Sequence, residues 1–205
     1  MYILLIFQKR LFFLLQSEAK ESMIINVNQN RKGTQIMNDF QKADINALDP
    51  VFSRIGKDWM LITAEADGVA NTMTASWGCL GVLWNKPVAV CFIRPSRHTY
   101  GLVEKATHLS LSFFDSEDYR AALRYCGTHS GREGDKLSAA GLTLAHTDDG
   151  VPLLREAALV LCCRKLYVDD LKADAFLDPA LLPANYPSGD LHRVYVCEIE
   201  SAWTR

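Results

Sequence analysis

The sequence predicts a mainly β protein, built as an antiparallel barrel with short flanking helices. Short runs rich in apolar and β-favouring residues recur along the chain, and turn signals such as Asp67-Gly68 separate neighbouring runs. Only short helical patterns lie between the other runs. Strands separated by hairpin-type turns and short helices favour an antiparallel barrel over a doubly wound sheet. The 205 residues are enough for one domain with a sizeable core.

Six segments are predicted to be strands. The clearest is His108–Phe114, where large apolar residues occupy alternate positions, a pattern typical of a half-buried strand. In Pro87–Arg94 apolar residues occupy both faces, with Val88, Val90 and Phe92 on one and Ala89, Cys91 and Ile93 on the other, and its proline is acceptable at the start of a strand. By contrast, Gly78 and Gly81 are predicted to flank a loop that bends sharply. The predicted strands are Trp59–Ala66, Val69–Trp77, Pro87–Arg94, His108–Phe114, Ala157–Tyr167 and Val194–Ile199.

Two short helices are predicted between these strands. Ser96–Lys105 begins with Ser96 as its candidate N-cap, because a serine hydroxyl can accept a hydrogen bond from a free backbone N–H. Ser116–Tyr125 carries apolar residues at helical spacing, and Ser116 is its candidate N-cap. We expect both helices to lie beside the barrel.

The overall charge gives no reason to expect a polyanionic partner. The formal net charge is -2 and the sequence pI is about 6.2. Hydrophobic residues make up 49% of the chain and charged residues 22%, which is the usage of an ordinary globular protein and not of a disordered one. We therefore expect no nucleic acid and no membrane as a partner.

The six cysteines are not spaced as a metal site or a redox motif, because no two of them form a C-x-x-C pair. We predict that they are mostly small core hydrophobes, free of disulfides, in a reducing compartment, the cytoplasm. Cys162 and Cys163 are adjacent, so in a strand their side chains would point to opposite faces. A redox role for Cys126 is disfavoured, since no resolving cysteine lies near it in sequence.

Residues 1–36 differ in character from the rest of the chain. Two apolar pieces, Tyr2–Phe7 and Leu11–Leu15, are separated by polar and charged residues, and neither reaches the ~18 apolar residues of a membrane span. The position of these charges does not fit a signal peptide either. We interpret residues 1–36 as a translated upstream leader and Met37 as the true start, so that residues 37–205 form the domain. The alternative is a genuine extension that acts as a weak amphipathic anchor.

The residues with binding chemistry begin on the second predicted strand. Thr74 and Ser76 place hydroxyls on one face of that strand, and Ala75 between them is small enough to let a planar ligand approach the backbone. Trp77 follows directly. This pattern indicates a ligand surface at the end of the strand.

A cluster of cations and hydroxyls follows the third predicted strand. It consists of Arg94, Ser96, Arg97 and Thr99, close to a predicted helix start. Guanidinium groups match phosphate oxygens, and the N–H groups at a helix N-terminus favour negative charge. A single arginine would be an ordinary surface charge, but the clustering predicts a site for a dianion. The chain lacks the G-x-G-x-x-G fingerprint of Rossmann dinucleotide sites.

Four segments of the chain match one family's sequence blocks in order. They are N-T-M-T-A-S-W-G (Asn71–Gly78), I-R-P-S-R-H-T (Ile93–Thr99), C-G-T-H-S-G-R-E-G-D-K (Cys126–Lys136) and H-R-V-Y-V-C-E-I (His192–Ile199). Over about residues 50–205 the chain resembles the flavin-reductase-like family of FMN-binding split barrels, which includes flavoredoxin. His98 departs from the family's usual tyrosine and Cys197 from its frequent glycine. The resemblance implies an antiparallel, Greek-key split β-barrel that binds FMN.

The resemblance also implies roles for ten residues, which we write as expectations. One group would line the isoalloxazine ring and the ribityl chain: Thr74, Ala75, Ser76 and Trp77. A second group would hold the phosphate: Arg94, Ser96, Arg97 and Thr99. From the loop after the second helix, Ser130 and Lys136 would close over the flavin.

The function implied is that of an FMN-binding oxidoreductase, a flavin reductase that passes electrons from NAD(P)H to or through flavin. One alternative is a flavoredoxin-type electron carrier with no nicotinamide site of its own and a redox partner protein. Another is a binding module that uses the barrel for a different ligand, such as haem. The resemblance also implies a homodimer. We assign no catalytic side chain and no metal ligand, since hydride chemistry belongs to the cofactor, and His129 and His192 stay open between a structural role and proton donation.

Overall fold

The computed structural model describes residues 50–204, which form nine strands and five short α-helices. The predicted leader, the start at Met37 and hence the boundary of the predicted domain lie outside the described residues. The strands are β1 (Met60–Ala66), β2 (Val69–Ala75), β3 (Gly78–Leu83), β4 (Lys86–Ile93), β5 (His108–Phe113), β6 (Leu144–His146), β7 (Pro152–Leu154), β8 (Leu159–Asp170) and β9 (Arg193–Thr204). The helices are α1 (Pro50–Gly56), α2 (His98–Lys105), α3 (Arg120–Thr128), α4 (Lys136–Ala139) and α5 (Leu181–Asn185).

Seven strands form one antiparallel sheet in the order β2-β1-β5-β8-β9-β4-β3, and β6 pairs with β7. The two outermost strands, β2 and β3, are joined only by Ser76 and Trp77. Three Cα steps of 3.8 Å span at most about 11 Å, so the two edges of the sheet meet at this link. The sheet therefore curls into a barrel that is split between β2 and β3, which confirms the predicted fold class.

Two hairpins of the same kind flank the link. Asp67 and Gly68 join β1 to β2 with φ angles of 54° and 74°, which confirms the predicted turn. Trp84 and Asn85 join β3 to β4 with φ angles of 52° and 57°. The predicted loop at residues 78–81 is wrong, because these residues belong to β3. An edge strand with mostly exposed side chains lacks the burial alternation that identifies a strand from sequence.

Strand β5 is buried on both faces. Leu109, Leu111 and Phe113 lie in the main core, as the alternation predicts. Ser110 and Ser112 on the opposite face are also fully buried, and their hydroxyls have no hydrogen-bond partner among the described residues. The prediction of a half-buried strand is wrong because β7 packs against β1 and β5 and covers a face that the serines make polar.

The two predicted helix caps have different outcomes. Ser116 accepts a hydrogen bond from the backbone N–H of Asp118 at 3.1 Å, and a 3-10 turn leads from it into α3, which confirms this cap. Helix α2 begins at His98, and its N-cap is Arg97, one residue after the predicted cap. The predicted cap at Ser96 is wrong because its hydroxyl donates instead to the Asp190 carboxylate at 2.6 Å.

All six cysteines are free, as predicted. Five are buried, but Cys79 on the edge strand β3 is exposed. Cys162 and Cys163 enter different apolar clusters, so their side chains do point to opposite faces of β8. None of the helices within residues 50–204 has the length and apolar character needed to cross a bilayer.

Candidate functional site

A hollow of about 170 Å³ lies at the link where the two sheet edges meet. We call it the strand hollow. Small residues at the end of β2 lie between aromatic side chains and two arginines; the lining residues are Met73, Thr74, Ala75, Ser76, Trp77, Phe92, Arg94, Arg97 and His192. The Thr74 hydroxyl donates to the Leu123 carbonyl of α3, so its oxygen keeps only acceptor capacity for a ligand. A cleft between aromatic walls suits a flat conjugated molecule.

His192 is buried at the side of the strand hollow. Its Nδ1 lies 2.8 Å from the Tyr186 hydroxyl, and its ring centroid lies 5.1 Å from that of Trp77. Burial, together with the positive charge of Arg94, lowers the pKa of His192 to about 4. The imidazole is therefore neutral at pH 7, which favours a structural or hydrogen-bonding role over donation from a cationic ring.

Two of the residues predicted to bind the anion, Arg94 and Ser96, form hydrogen bonds to the segment between β8 and β9. The Arg94 guanidinium donates to the Asn185 carbonyl at 2.9 Å and lies 5.1 Å from the centre of the Tyr186 ring. The Ser96 hydroxyl is held by Asp190, as described above. Because a guanidinium has five N–H donors, Arg94 keeps donors for a ligand, whereas Ser96 faces a carboxylate.

A second hollow of about 130 Å³ adjoins the first and lies at the start of α2. We call it the helix hollow. Arg97 lines both hollows, and its Nη1 donates to the Gly127 carbonyl at 2.8 Å. Among the described residues, those that line the helix hollow include no aspartate or glutamate; they are Asn71, Met73, Ser96, Arg97, His98, Thr99, Thr128, His129, Ser130, Arg132 and Lys136.

A buried network forms the inner wall of the helix hollow. The Asn71 side chain donates to the Thr99 hydroxyl at 2.7 Å, and the Lys136 ammonium donates to the Thr72 carbonyl at 2.8 Å. Gly131 approaches this network so closely that a Cβ there would lie 2.4 Å from Asn71 Oδ1. These contacts hold β2, α2 and the loop after α3 together before any ligand arrives.

Positive charge accumulates in the helix hollow. Burial and the charge of Arg97 lower the pKa of Lys136, although Cys126 and Glu133 act in the opposite direction. Burial and the charges of Arg132 and Lys136 lower the pKa of His98. Cations that repel one another in a partly buried site are stabilised by an anion between them. The chemistry of the helix hollow is therefore that of an anion site.

The family model of the Flavin reductase like domain matches residues 52–205, about three quarters of the chain. The chain belongs to this family. No curated protein matches the sequence.

Solved structures with the same fold resemble the flavin reductase-like domain at low identity. The FMN-binding protein from Thermus thermophilus with bound 1-cyclohex-2-enone is 23% identical, with a TM-score of 0.57 over 80% of each chain. Flavoredoxin from Methanosarcina acetivorans is 22% identical, with a TM-score of 0.56 over 81% of this chain and 76% of that chain. The FMN-binding domain of a flavin reductases-like enzyme from Shewanella baltica OS155 is 16% identical, with a TM-score of 0.55 over 75% and 72%. At these identities the likeness establishes a shared fold.

All ten residues predicted from sequence line these two hollows. The strand hollow contains Thr74, Ala75, Ser76, Trp77 and Arg94, the helix hollow contains Ser96, Thr99, Ser130 and Lys136, and Arg97 lines both. Their roles toward a ligand stay predictions. Sequence reasoning missed Phe92 and Arg132. Arg132 lies within the third family-like segment, but a lone arginine carries no signal until its neighbours in space are known.

Two other candidates lack the surroundings of a reactive group. His129 is exposed and stacks on Tyr125, with ring centroids 3.9 Å apart and an angle of 14° between the planes. Cys126 is fully buried, and burial raises the pKa of its thiol. A thiol held neutral in the core is a poor nucleophile and metal ligand, so a structural role fits this cysteine.

Proposed function

We propose that this chain binds FMN across the strand hollow and the helix hollow and passes electrons from NAD(P)H to or through the flavin. The observation that carries the proposal is the junction at Arg97, where a narrow cleft between aromatic rings meets a cationic hollow that no acidic side chain of residues 50–204 lines. A ligand with a flat conjugated ring and a dianionic tail fits this site, because the ring suits the aromatic cleft and the dianion suits the cationic hollow.

The helix hollow has donors that fit a phosphate. Arg97 and Arg132 supply guanidinium groups, and the N–H groups of His98 and Thr99 at the start of α2 precede the first backbone hydrogen bond of the helix, from Tyr100 to Arg97. The Ser130 hydroxyl accepts a hydrogen bond from the backbone N–H of Arg132 at 3.2 Å, which orients it. Because Gly131 has no side chain, the loop packs directly against Asn71 and His98 in the wall of the helix hollow. Ser96 fits less well and would have to exchange Asp190 for the phosphate.

The strand hollow fits an isoalloxazine ring. FMN, when bound, supplies the ring that takes up and passes on electrons. The residues of this chain bind and orient that ring: Ala75 leaves the backbone accessible, and Trp77 and Phe92 form aromatic walls. The neutral His192 adds hydrogen-bonding capacity without a charge. No side chain is required as an acid or base for hydride transfer.

A flavoredoxin-type carrier is the second candidate. It would use the same FMN site and receive its electrons from a partner protein. The similarity to flavoredoxin from Methanosarcina acetivorans favours this interpretation as much as the family supports a reductase. The two candidates differ in one measurable property, which is whether NADH or NADPH is oxidised in the absence of another protein.

The deciding experiment starts from the purified full chain. After denaturation we expect FMN in the supernatant, identified by chromatography; haem would overturn the proposal. Oxidation of NADH and of NADPH is then followed with and without added free FMN. Turnover with either nucleotide supports the reductase. A protein that retains FMN but oxidises neither nucleotide would be assigned as a carrier.

We also propose that the domain forms a homodimer through β3. This edge strand exposes Val82 (78% exposed), and the turn that follows it exposes Trp84. An unpaired strand edge with large exposed apolar side chains is a surface that associates readily. We expect Val82→Lys to shift the protein from dimer to monomer in multi-angle light scattering. A wild-type monomer at micromolar concentration would contradict the proposal.

A further inference from the structure

A third hollow, of about 250 Å³, adjoins the strand hollow. We call it the Trp59 pocket. It shares Thr74, Ser76 and Arg97 with the strand hollow, and its remaining lining residues are Trp59, Leu123, Arg124, Gly127 and Thr128. No acidic residue is among those that line it within residues 50–204. The volume lies below the roughly 300–1,000 Å³ of pockets for drug-sized ligands, which favours a small ligand.

Trp59 has an unusual backbone conformation. Its φ angle is 69°, in the left-handed region that bulky side chains rarely adopt. Strain of this kind persists only where the surroundings impose it, and such residues concentrate at binding sites and active sites. A glycine would adopt the same angle without strain, but this chain has a tryptophan at the turn.

Arg120 holds Trp59 in this conformation. Its Nη1 donates to the carbonyls of Lys57 and Asp58 at 3.0 and 3.1 Å, which fixes the turn that precedes Trp59. The same guanidinium lies 5.1 Å from the centre of the Trp59 ring, within reach of a cation–π contact. One side chain thus restrains both the backbone and the ring, and the pocket has a rigid aromatic wall before a ligand binds.

Arg124 supplies a positive charge one helical turn after Arg120. Its side chain is exposed, and the structure gives its guanidinium no acceptor or ion-pair partner among the described residues. Arg97, the other cation of the pocket, already donates to the Gly127 carbonyl and also lines the strand hollow and the helix hollow. Arg124 is therefore the cation that remains for a ligand of the Trp59 pocket.

We propose that the Trp59 pocket binds a small planar aromatic carboxylate, with its ring against Trp59 and Leu123 and its carboxylate on Arg124. An aromatic wall favours a flat ring, and a free guanidinium in a pocket without acids favours a carboxylate. The binding itself depends only on these residues. Its meaning as a second-substrate site next to the flavin rests on the proposed function.

The test measures binding of three probes to the purified full chain by calorimetry: benzoate, the neutral benzamide and the non-planar cyclohexanecarboxylate. Benzoate should bind tightest. Arg124→Gln should weaken benzoate binding about tenfold, as expected for a lost charge-assisted contact, and should change benzamide binding by less than about twofold. The matched control is Arg155→Gln, which removes an exposed arginine outside the pocket and should leave all three affinities unchanged.

The aromatic wall is tested separately. Trp59→Leu should weaken benzoate and benzamide alike, and Trp59→Phe should restore part of the loss because it keeps a ring. If Trp59→Leu does not fold, the benzoate and benzamide affinities of Arg124→Gln still test the proposal, because Arg124 is exposed. Equal affinity of the wild type for benzoate and benzamide, or no effect of Arg124→Gln on benzoate, would overturn the proposal.

Flavin content measured in the same samples separates this proposal from the proposed function. Benzoate binding that depends on Arg124 in a protein without FMN would support the pocket and contradict the FMN site. Bound FMN without benzoate binding that depends on Arg124 would support the FMN site and contradict the proposal for the Trp59 pocket.

Discussion

The inner and outer sides of the proposed FMN site are built in opposite ways. The inner side is the buried network of Asn71, Thr72, Thr99 and Lys136, in which Asn71 bonds to Thr99 and Lys136 to Thr72, with Gly131 packed against Asn71. The outer side consists of Arg94 and Arg97, which are more accessible to solvent and donate to backbone carbonyls of neighbouring segments. Buried polar groups must be paired in the folded protein itself, whereas accessible guanidinium groups can exchange a carbonyl or a water for a phosphate. The inner side therefore shapes the site, and the outer side supplies affinity for charge.

The largest effect should come from adding one carbon atom to the inner side. In Gly131→Ala the new Cβ would meet Asn71 Oδ1 at 2.4 Å and His98 Cδ2 at 2.8 Å. We expect the free energy of unfolding to fall by about 2–3 kcal/mol, which is at the upper end of the usual cost of inserting an atom into a well-packed region. Bound FMN should also be lost. Urea unfolding and flavin content per chain measure both.

A second glycine provides the control for this variant. Gly101 lies in α2 and has no positive φ, and a Cβ at this position would meet no atom within 4 Å. Gly101→Ala should be neutral or should stabilise the protein by up to about 1 kcal/mol. Equal stability of the two alanine variants would show that the close approach at Gly131 is unimportant.

The next effect concerns the outer side. If Arg97 holds the phosphate in the helix hollow and Arg94 reaches it from the adjoining strand hollow, each contributes charge-assisted hydrogen bonds worth roughly 1.5–3 kcal/mol. Arg94→Ala and Arg97→Ala should then weaken FMN binding by about 10- to 150-fold and leave riboflavin, which lacks the phosphate, nearly unchanged. Lysine should restore only part of the loss, because an ammonium lacks the guanidinium fork. Fluorescence titration with both flavins decides this; equal losses for FMN and riboflavin would remove these arginines from the phosphate site.

Lys136 tests whether the two sides really differ. Lys136→Met removes the donor to the Thr72 carbonyl and leaves that buried oxygen unpaired, so we expect a loss of about 1–2 kcal/mol of stability. FMN and riboflavin should weaken by similar factors, because the fault lies in the shape of the site. Loss of FMN binding alone, with unchanged unfolding, would mean that Lys136 contacts the phosphate directly and that the inner and outer sides do not differ in this way.

The smallest effect is a pH dependence from His192. Its pKa of about 4 in the folded protein lies below the ordinary value of 6.5, so the unfolded chain binds the proton more readily. Stability should therefore fall as the pH drops from 6.5 towards 4, and the loss should level off below that range. Since the site is partly open to solvent, which screens the effect, we expect at most about 1 kcal/mol from this residue. Thermal unfolding at pH 7 and pH 4 should differ less in His192→Gln; an identical pH dependence would exclude His192 as its source.

The strand predictions succeeded for buried strands and failed for the exposed edge strand β3. Residues 60–66 and 69–75 form β1 and β2 near their predicted bounds, because a run of apolar and β-favouring residues and the Asp67-Gly68 turn are local signals. Strand β3 gave no such signal, because an exposed edge strand needs no alternation. Likewise, the two serines of β5 are polar, so the sequence did not indicate that its second face is also buried.

The ten predicted site residues illustrate the same limit within the site. Most were predicted from the chemistry of their residue types, Ser130 and Lys136 only from the family resemblance, and all of them line the two hollows. Their present partners were not visible: Ser96 bonds to Asp190 and Lys136 bonds to the Thr72 carbonyl. These partners lie 94 and 64 residues away along the chain, a separation at which spacing carries no information.

The sequence by itself determined that this protein is an antiparallel β-barrel with a cluster of cations and hydroxyls after a strand, since periodicity and turn chemistry act over a few residues. Only the tertiary structure decided that the barrel is split at Ser76–Trp77 and that Arg97 stands where three hollows adjoin. It also decided that Trp59 is held in a strained conformation by Arg120. The reason is physical: strand order, closure and the pairing of distant polar groups are set by packing of the whole chain, and no local pattern encodes them.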